Sequence, residues 1–99
     1  MQMEFTLKNT QTKGGDIKDF LEDKTSKLNK YFNGKLHARW VISYEQDEHE
    51  AHLHVTGNNM DYMGKARDAN LLSSIEAAVD KVDRQLSKHK ELVKDHHHK

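Results

Sequence analysis

The sequence predicts an α+β fold of order β-α-β-β-β-α, a four-stranded mixed sheet with two helices packed on one face, and three observations carry that prediction. The spacing of apolar residues changes from two to 3.6 and back along the chain, which separates strands from helices. Each predicted strand has one apolar face and each predicted helix one apolar stripe, so both helices belong on the same side of a single sheet and the other side stays wet. A strand, a helical crossover and a second strand in one sheet require parallel neighbours and a right-handed connection, while the short turns that follow require antiparallel pairing.

Taken in order, Gln2 to Asn9 alternates Met3, Phe5 and Leu7 with polar residues, the pattern of a strand with one buried face. Polar residues and a Gly-Gly pair between Thr10 and Gly15 read as a loop. From Asp16 the period is helical: Ile17, Phe20, Leu21, Leu28, Tyr31 and Phe32 share a face, Asp16 and Asp19 suit the first turn, and Asn33-Gly34 supplies the stop. Lys35 to Glu45 places Leu36, Ala38, Trp40, Ile42 and Tyr44 on one side of the strongest strand. Gln46 to Glu48 is a polar turn, after which Ala51, Leu53 and Val55 alternate with Glu50, His52, His54 and Thr56. A second turn at Thr56-Gly57-Asn58-Asn59 leads to a weaker strand with Tyr62, Gly64 and Ala66 inward, whose small residues let a helix lie close.

The last helix, Asn70 to Lys94, is the longest element, with Asn70 as the better-placed N-cap and Leu72, Ile75, Val79, Val82, Leu86 and Val93 in one stripe. At about 37 Å it outruns a nine-residue strand of about 30 Å, so its last turns should overhang the sheet. Residues 1–94 are expected to form a single domain and residues 95–99 a short flexible tail.

Sixteen basic residues balance sixteen acidic ones with eight histidines set aside, so any affinity for nucleic acid must come from local segregation of charge. There is no cysteine, which fits a reducing compartment and excludes thiolate chemistry. No apolar run is long enough for a membrane span and no signal-peptide profile is present, pointing to the cytoplasm and to no membrane partner. No nucleophile has an adjacent base, no carboxylates are paired and no glycine loop cradles phosphate, so neither a catalytic residue nor a cofactor is expected.

Charge is sorted by sign on the last helix. Lys81, Arg84 and Lys88 fall within about 60° of one another on the outer face, and Glu76, Asp80 and Asp83 line the flank between that row and the apolar stripe. Lys24, Lys27 and Lys30 occupy the later turns of the first helix. The same pattern suits an ordinary solvated back with dipole-complementing lysines, and also a basic ridge presented to phosphate.

The strand MQMEFTLKN, the helix ending KLNKYF, the hairpin HARWVISYEQDEHEAHLHVTG and above all the run DKVDRQLSKHKELVKDHH resemble the short ribosome hibernation promoting factors, the group that includes YfiA. The resemblance covers essentially the whole chain and implies the same β-α-β-β-β-α fold. It implies a cytoplasmic, ribosome-associated translation inhibitor that binds the small ribosomal subunit and its ribosomal RNA in the channel of messenger and transfer RNA. Carried over, it points to Lys24, Lys27 and Lys30 and to Lys81, Arg84, Lys88 and Lys90 as RNA-binding residues, with Lys94, Arg39, Lys65 and Arg67 as weaker candidates. It also leaves room for a second hibernation factor as partner, and a monomer is expected for the free chain.

The chain departs from that pattern at Asp23, Thr25 and Asn70-Leu71-Leu72. The first two should weaken contact through the first helix; the third keeps a capping residue but drops an aromatic. His52 and His54 sit two apart on one strand face, with His37 a candidate across the hairpin, and His96 to His98 form a terminal cluster. The sequence fixes no carboxylate or third ligand, so no metal is expected. The alternative function is a generic double-stranded RNA-binding module, which reads shape with a similar sheet-and-helix architecture. With both helices on one side, the ridge is expected to join the first-helix lysines in one basic face that ends at Asp80 and Asp83.

Overall fold

The computed structural model describes residues 1–10 and 14–97, with side chains through His89. Its elements are β1 (Gln2–Lys8), α1 (Gly14–Ser26) followed by a 3₁₀ segment (Lys27–Tyr31), β2 (His37–Glu45), β3 (Glu48–Gly57), β4 (Met60–Asp68) and α2 (Leu71–His97). The sheet order is β1-β2-β3-β4, with β1 parallel to β2 and both hairpins antiparallel, as the sequence predicts. Both hairpins turn on two residues with positive φ, Gln46-Asp47 and Asn58-Asn59, the twist that lets tightly turned strands stay paired. The first turn is therefore one residue shorter than expected. Glu48 belongs to β3 and stands opposite Glu45. The loop expected over residues 10–15 falls partly on residues 11–13, outside the described residues, and it ends earlier than expected, because Gly14 and Gly15 already belong to α1.

The core lies between the sheet and the helices. Trp40, Ile42, Leu53 and Val55 rise from the central strands to meet Ile17, Leu21, Leu28 and Phe32 on one side and Ile75, Val79, Val82 and Leu86 on the other. Each such apolar side chain contributes on the order of 1.5–3 kcal/mol when fully buried. α2 sits closest over β4, where Gly64 has no side chain: a Cβ there would stand 2.6 Å from the Ala78 carbonyl oxygen and 2.8 Å from Val82 Cγ2. The expected role of the small inward residues of β4 is thus met by one position in particular.

Asn70 caps α2, its Oδ1 accepting from Ser73 N–H at 3.0 Å, while Asp68 Oδ1 accepts from Asn70 N–H at 2.8 Å. That start puts Leu71 in line with Ala78 and Val82, and Leu71 packs on the core. Leu72, expected in the stripe, is 100° further round and 44% exposed. Tyr44, expected to face inward, is at the strand end and exposed, its ring 4.7 Å from that of His49. The backbone of α2 runs past the expected end at Lys94 to His97, while the side chain of Val93 lies outside the described residues.

The first helix is not uniform. Its α-helical part stops at Ser26, whose hydroxyl donates to the Asp23 carbonyl at 2.7 Å and so competes for an acceptor of the α-helical ladder. The tighter 3₁₀ segment follows, closed by Phe32 N–H donating to Asn29 O at 3.0 Å and by Asn33 and Gly34 at φ 52 and 80. Next to this change of pitch, fully buried Thr25 accepts from the indole N–H of fully buried Trp40 at 3.0 Å. The polar residue that looked like a departure gives the largest core side chain its one required partner.

Thr25→Val should leave the Trp40 indole N–H unpaired in the core and destabilise the fold by about 1–3 kcal/mol. At roughly 4–8 °C per kcal/mol the loss is readable in a thermal melt. Thr25→Ser, which retains the acceptor, should lose less.

Candidate nucleic-acid interface

The change of pitch in the first helical element arranges its lysines. Residues three apart eclipse in a 3₁₀ turn, so Lys27 and Lys30 stand one above the other, with Lys24 on the preceding α-helical turn. Lys24 Nζ lies 5.4 Å from the centre of the Phe20 ring and Lys30 Nζ 5.2 Å from that of Tyr31, aromatic rests that hold both side chains along the helix. Across from them runs α2. Lys24, Lys27 and Lys30 form one wall of a groove of about 480 Å³, Glu76, Asp80 and Asp83 form the other, and Val79 contributes to its lining.

The groove is pinned at both ends. Lys24 Nζ stands 3.8 Å from Glu76 Oε1 at one end, and the Tyr31 hydroxyl donates to Asp83 Oδ1 at 2.9 Å at the other. Burial pushes the Tyr31 hydroxyl above its usual pKa, and the Asp83 carboxylate that accepts its proton pushes it further.

The basic row of α2 therefore looks elsewhere. Glu76, Asp80 and Asp83 occupy the flank facing α1, while Lys81 reaches over the opposite flank and donates to the Lys65 carbonyl at 2.6 Å. Gln85 beside it donates to the Met63 carbonyl at 2.8 Å. Arg84 lies between the flanks, its side chain 78% exposed and its Nη2 2.9 Å from Asp80 Oδ2 one turn earlier. Lys88 is exposed. The single two-helix basic face expected from the sequence is thus two basic stripes separated by a row of carboxylates. The acidic flank faces the first helix because α1 lies to that side of α2, a matter of helix placement rather than of sequence spacing. Among the described residues Lys27, Lys30 and Lys88 make no ion pair. The side chains of Lys90 and Lys94 lie outside the described residues.

The weaker candidates are engaged on the open face of the sheet. Arg39 Nε donates to Glu4 Oε1 at 2.9 Å, Lys65 stands 3.9 Å from Glu50, and Arg67 lies between Glu48 at 3.8 Å and Glu50 at 3.6 Å. The Arg39 guanidinium holds the exposed Glu4 carboxyl below its usual pKa. His54 pairs with Asp61, and His37 lies 3.4 Å from Glu4. Among the described residues no three histidines or carboxylates gather around a metal-sized point. The His96–His98 cluster lies outside the described side chains. No described helix is long and apolar enough to cross a membrane.

The family model described as Sigma 54 modulation protein / S30EA ribosomal protein matches residues 3–94. The chain belongs to that family. Within it, the ribosome hibernation promoting factor of Escherichia coli strain K12 is 31% identical over 98 residues, spanning 97% of this chain and 100% of the relative. That of Azotobacter vinelandii is 32% identical over 77 residues, 76% of this chain and 70% of the relative. The crystal structure of the Thermus thermophilus Protein Y N-terminal domain superposes with a TM-score of 0.78 at 26% identity, covering 90% of this chain and 99% of that one. A ribosomal subunit interface protein from Coxiella burnetii shares the fold with a TM-score of 0.75 at 12% identity, over 92% of this chain and 99% of that one.

The Tyr31–Asp83 bond gives the groove a readable proton. A raised pKa means that the folded state holds the proton more tightly, so its contribution is complete below the ordinary tyrosine value near 10 and is lost as pH rises through the folded value. Asp83→Asn should move the Tyr31 titration, followed by NMR of its ring, down toward the ordinary range while burial keeps it above. An unchanged titration would mean the bond does not hold in solution.

Proposed function

We propose that the chain is a ribosome hibernation factor that inhibits translation by occupying the messenger and transfer RNA channel of the small ribosomal subunit. Basic residues of both helical elements lie against ribosomal RNA: Lys24, Lys27 and Lys30 on the first, and Lys81, Arg84, Lys88 and Lys90 on α2. The observation that carries this reading is the exposure of two cationic stripes on the helical layer of a chain whose full-length relatives are named for ribosome hibernation. Lys and Arg neutralise phosphate oxygens and release condensed counterions, which gives affinity without reading sequence. The protein acts by occupancy rather than by turning over a substrate, as a free monomer in the cytoplasm that becomes ribosome-associated. A second hibernation factor is a further partner.

The cations are not equivalent in this scheme. Lys24 and Arg84 already have carboxylate partners and exchange one anion for another on binding, so they release few counterions. Lys81 supports the backbone of β4 as well as carrying charge. Lys27, Lys30 and Lys88 carry the electrostatic part of the affinity.

Joint replacement of Lys27, Lys30 and Lys88 by Ala should flatten the salt dependence of binding to small subunits by up to about one unit of slope per residue, with the thermal melt unchanged. Replacing Lys24 and Arg84 should change the slope less per residue. The same titrations, run against a free RNA duplex, test the alternative of a generic double-stranded RNA binder: binding to duplex as tight as to intact small subunits would favour that module over a hibernation factor.

A further inference from the structure

The groove between the helices is built for more than phosphate. Three lysines face three carboxylates, so its formal charge sums to zero, and a pure phosphate channel gains nothing from the acidic wall. Two of those carboxylates already have a short bond, Asp80 Oδ2 to Arg84 and Asp83 Oδ1 to Tyr31, each at 2.9 Å. Among the described residues Glu76 has only Lys24, at 3.8 Å, and its side chain is 57% exposed. On the opposite wall Lys27 and Lys30 are stacked and make no ion pair among the described residues. At about 480 Å³ the groove falls in the size range of small-ligand clefts, about 300–1,000 Å³, with Val79 as an apolar contact. Such a lining suits an occupant with a phosphate at one end and adjacent N–H donors at the other.

We propose that this groove takes one unpaired guanine nucleotide of the bound RNA, with Lys27 and Lys30 on its phosphate and the two oxygens of Glu76 accepting from guanine N1–H and N2–H₂. The inference rests on the ribosome-binding reading and adds base recognition to it. Guanine is selected because its Watson–Crick edge sets two donors side by side, matching one carboxylate. Adenine and cytosine present one amino group beside a lone-pair nitrogen, and uracil one N–H between two carbonyl oxygens, so each turns an acceptor toward the carboxylate. Asp80 and Asp83, held by Arg84 and Tyr31, fix the rest of that wall.

The test is kethoxal probing of small subunits, because that reagent attacks N1 and N2 of unpaired guanine. Small subunits are saturated with the wild-type chain or with Glu76→Gln, occupancy is confirmed by co-sedimentation, and reactive guanines are mapped. The wild type should protect a guanine that becomes reactive again under Glu76→Gln at equal occupancy, with the melt of the exposed-site variant unchanged. A second arm uses uridine hexamers bearing one guanosine or one inosine, which lacks the N2 amine. The wild type should prefer guanosine roughly tenfold and Glu76→Gln should lose that preference. Identical protection by both proteins, or a Glu76→Gln variant that binds all RNA more tightly with an unchanged guanine pattern, would overturn the proposal and leave the carboxylates as a charge mask. Co-sedimentation without any protected guanine would overturn it while sparing the ribosome-binding reading, and failure to co-sediment would remove that reading too.

Discussion

The backbone of α2 comes to rest where β4 has no side chain. At Gly64 a single added carbon would collide with the Ala78 carbonyl and the Val82 methyl, so the glycine sets how near the helix lies and which way it is turned. Rotation matters because successive side chains are 100° apart. Turned by one residue, the helix would withdraw Glu76, Asp80 and Asp83 from the first helix and take Lys81 and Gln85 off the edge of β4. The Asn70 cap fixes the same phase from the helix start, since it decides that Leu71 rather than Leu72 enters the core. A packing constraint on one face thereby dictates the electrostatics of the other three.

Those electrostatics explain how a chain with no net formal charge can present exposed cations on its helical layer. Acidic residues are spent internally: Glu4 on Arg39, Glu48 and Glu50 on Arg67, Asp80 on Arg84. On the open face of the sheet this cancels opposite signs pair by pair. On the helical layer it leaves Lys27, Lys30 and Lys88 outside any such pair among the described residues. Exposed ion pairs of this sort add little stability, typically 0–1 kcal/mol each, so their effect is mainly on which surface stays positive.

Much of this was legible in the sequence, and the misses share a cause. The order of elements, the mixed sheet, the Asn70 cap and the closeness allowed by Gly64 follow from period, turn chemistry and side-chain size, all of which are local. The lysines of the first helix and the basic row of α2 could be picked out, yet not placed relative to each other. The side of α2 that faces α1 depends on where the crossover lays the first helix on the sheet. The 3₁₀ segment escaped because apolar spacing from Leu28 to Phe32 fits either pitch, and only the Ser26 hydroxyl taking the Asp23 carbonyl marks the change. Thr25 looked out of place because its partner, Trp40, lies 15 residues on and becomes adjacent only when β2 slides beneath the helix.

The side chains of Lys81 and Gln85 have a bearing on how the protein behaves at high concentration. The two-residue turn at Asn58-Asn59 makes Gly57 and Met60 a hydrogen-bonded pair, and alternation from there aims the carbonyls of Met63 and Lys65 away from β3. Those are the acceptors an incoming strand would need, and Lys81 Nζ and Gln85 Nε2 already fill them. Open-ended stacking by strand addition requires two usable edges on every molecule. With two neighbouring acceptors of β4 already engaged, a strand arriving at that edge would have to displace Lys81 and Gln85, whereas among the described residues β1 carries no such engagement. Open-ended extension is thus disfavoured at one of the two edges it needs.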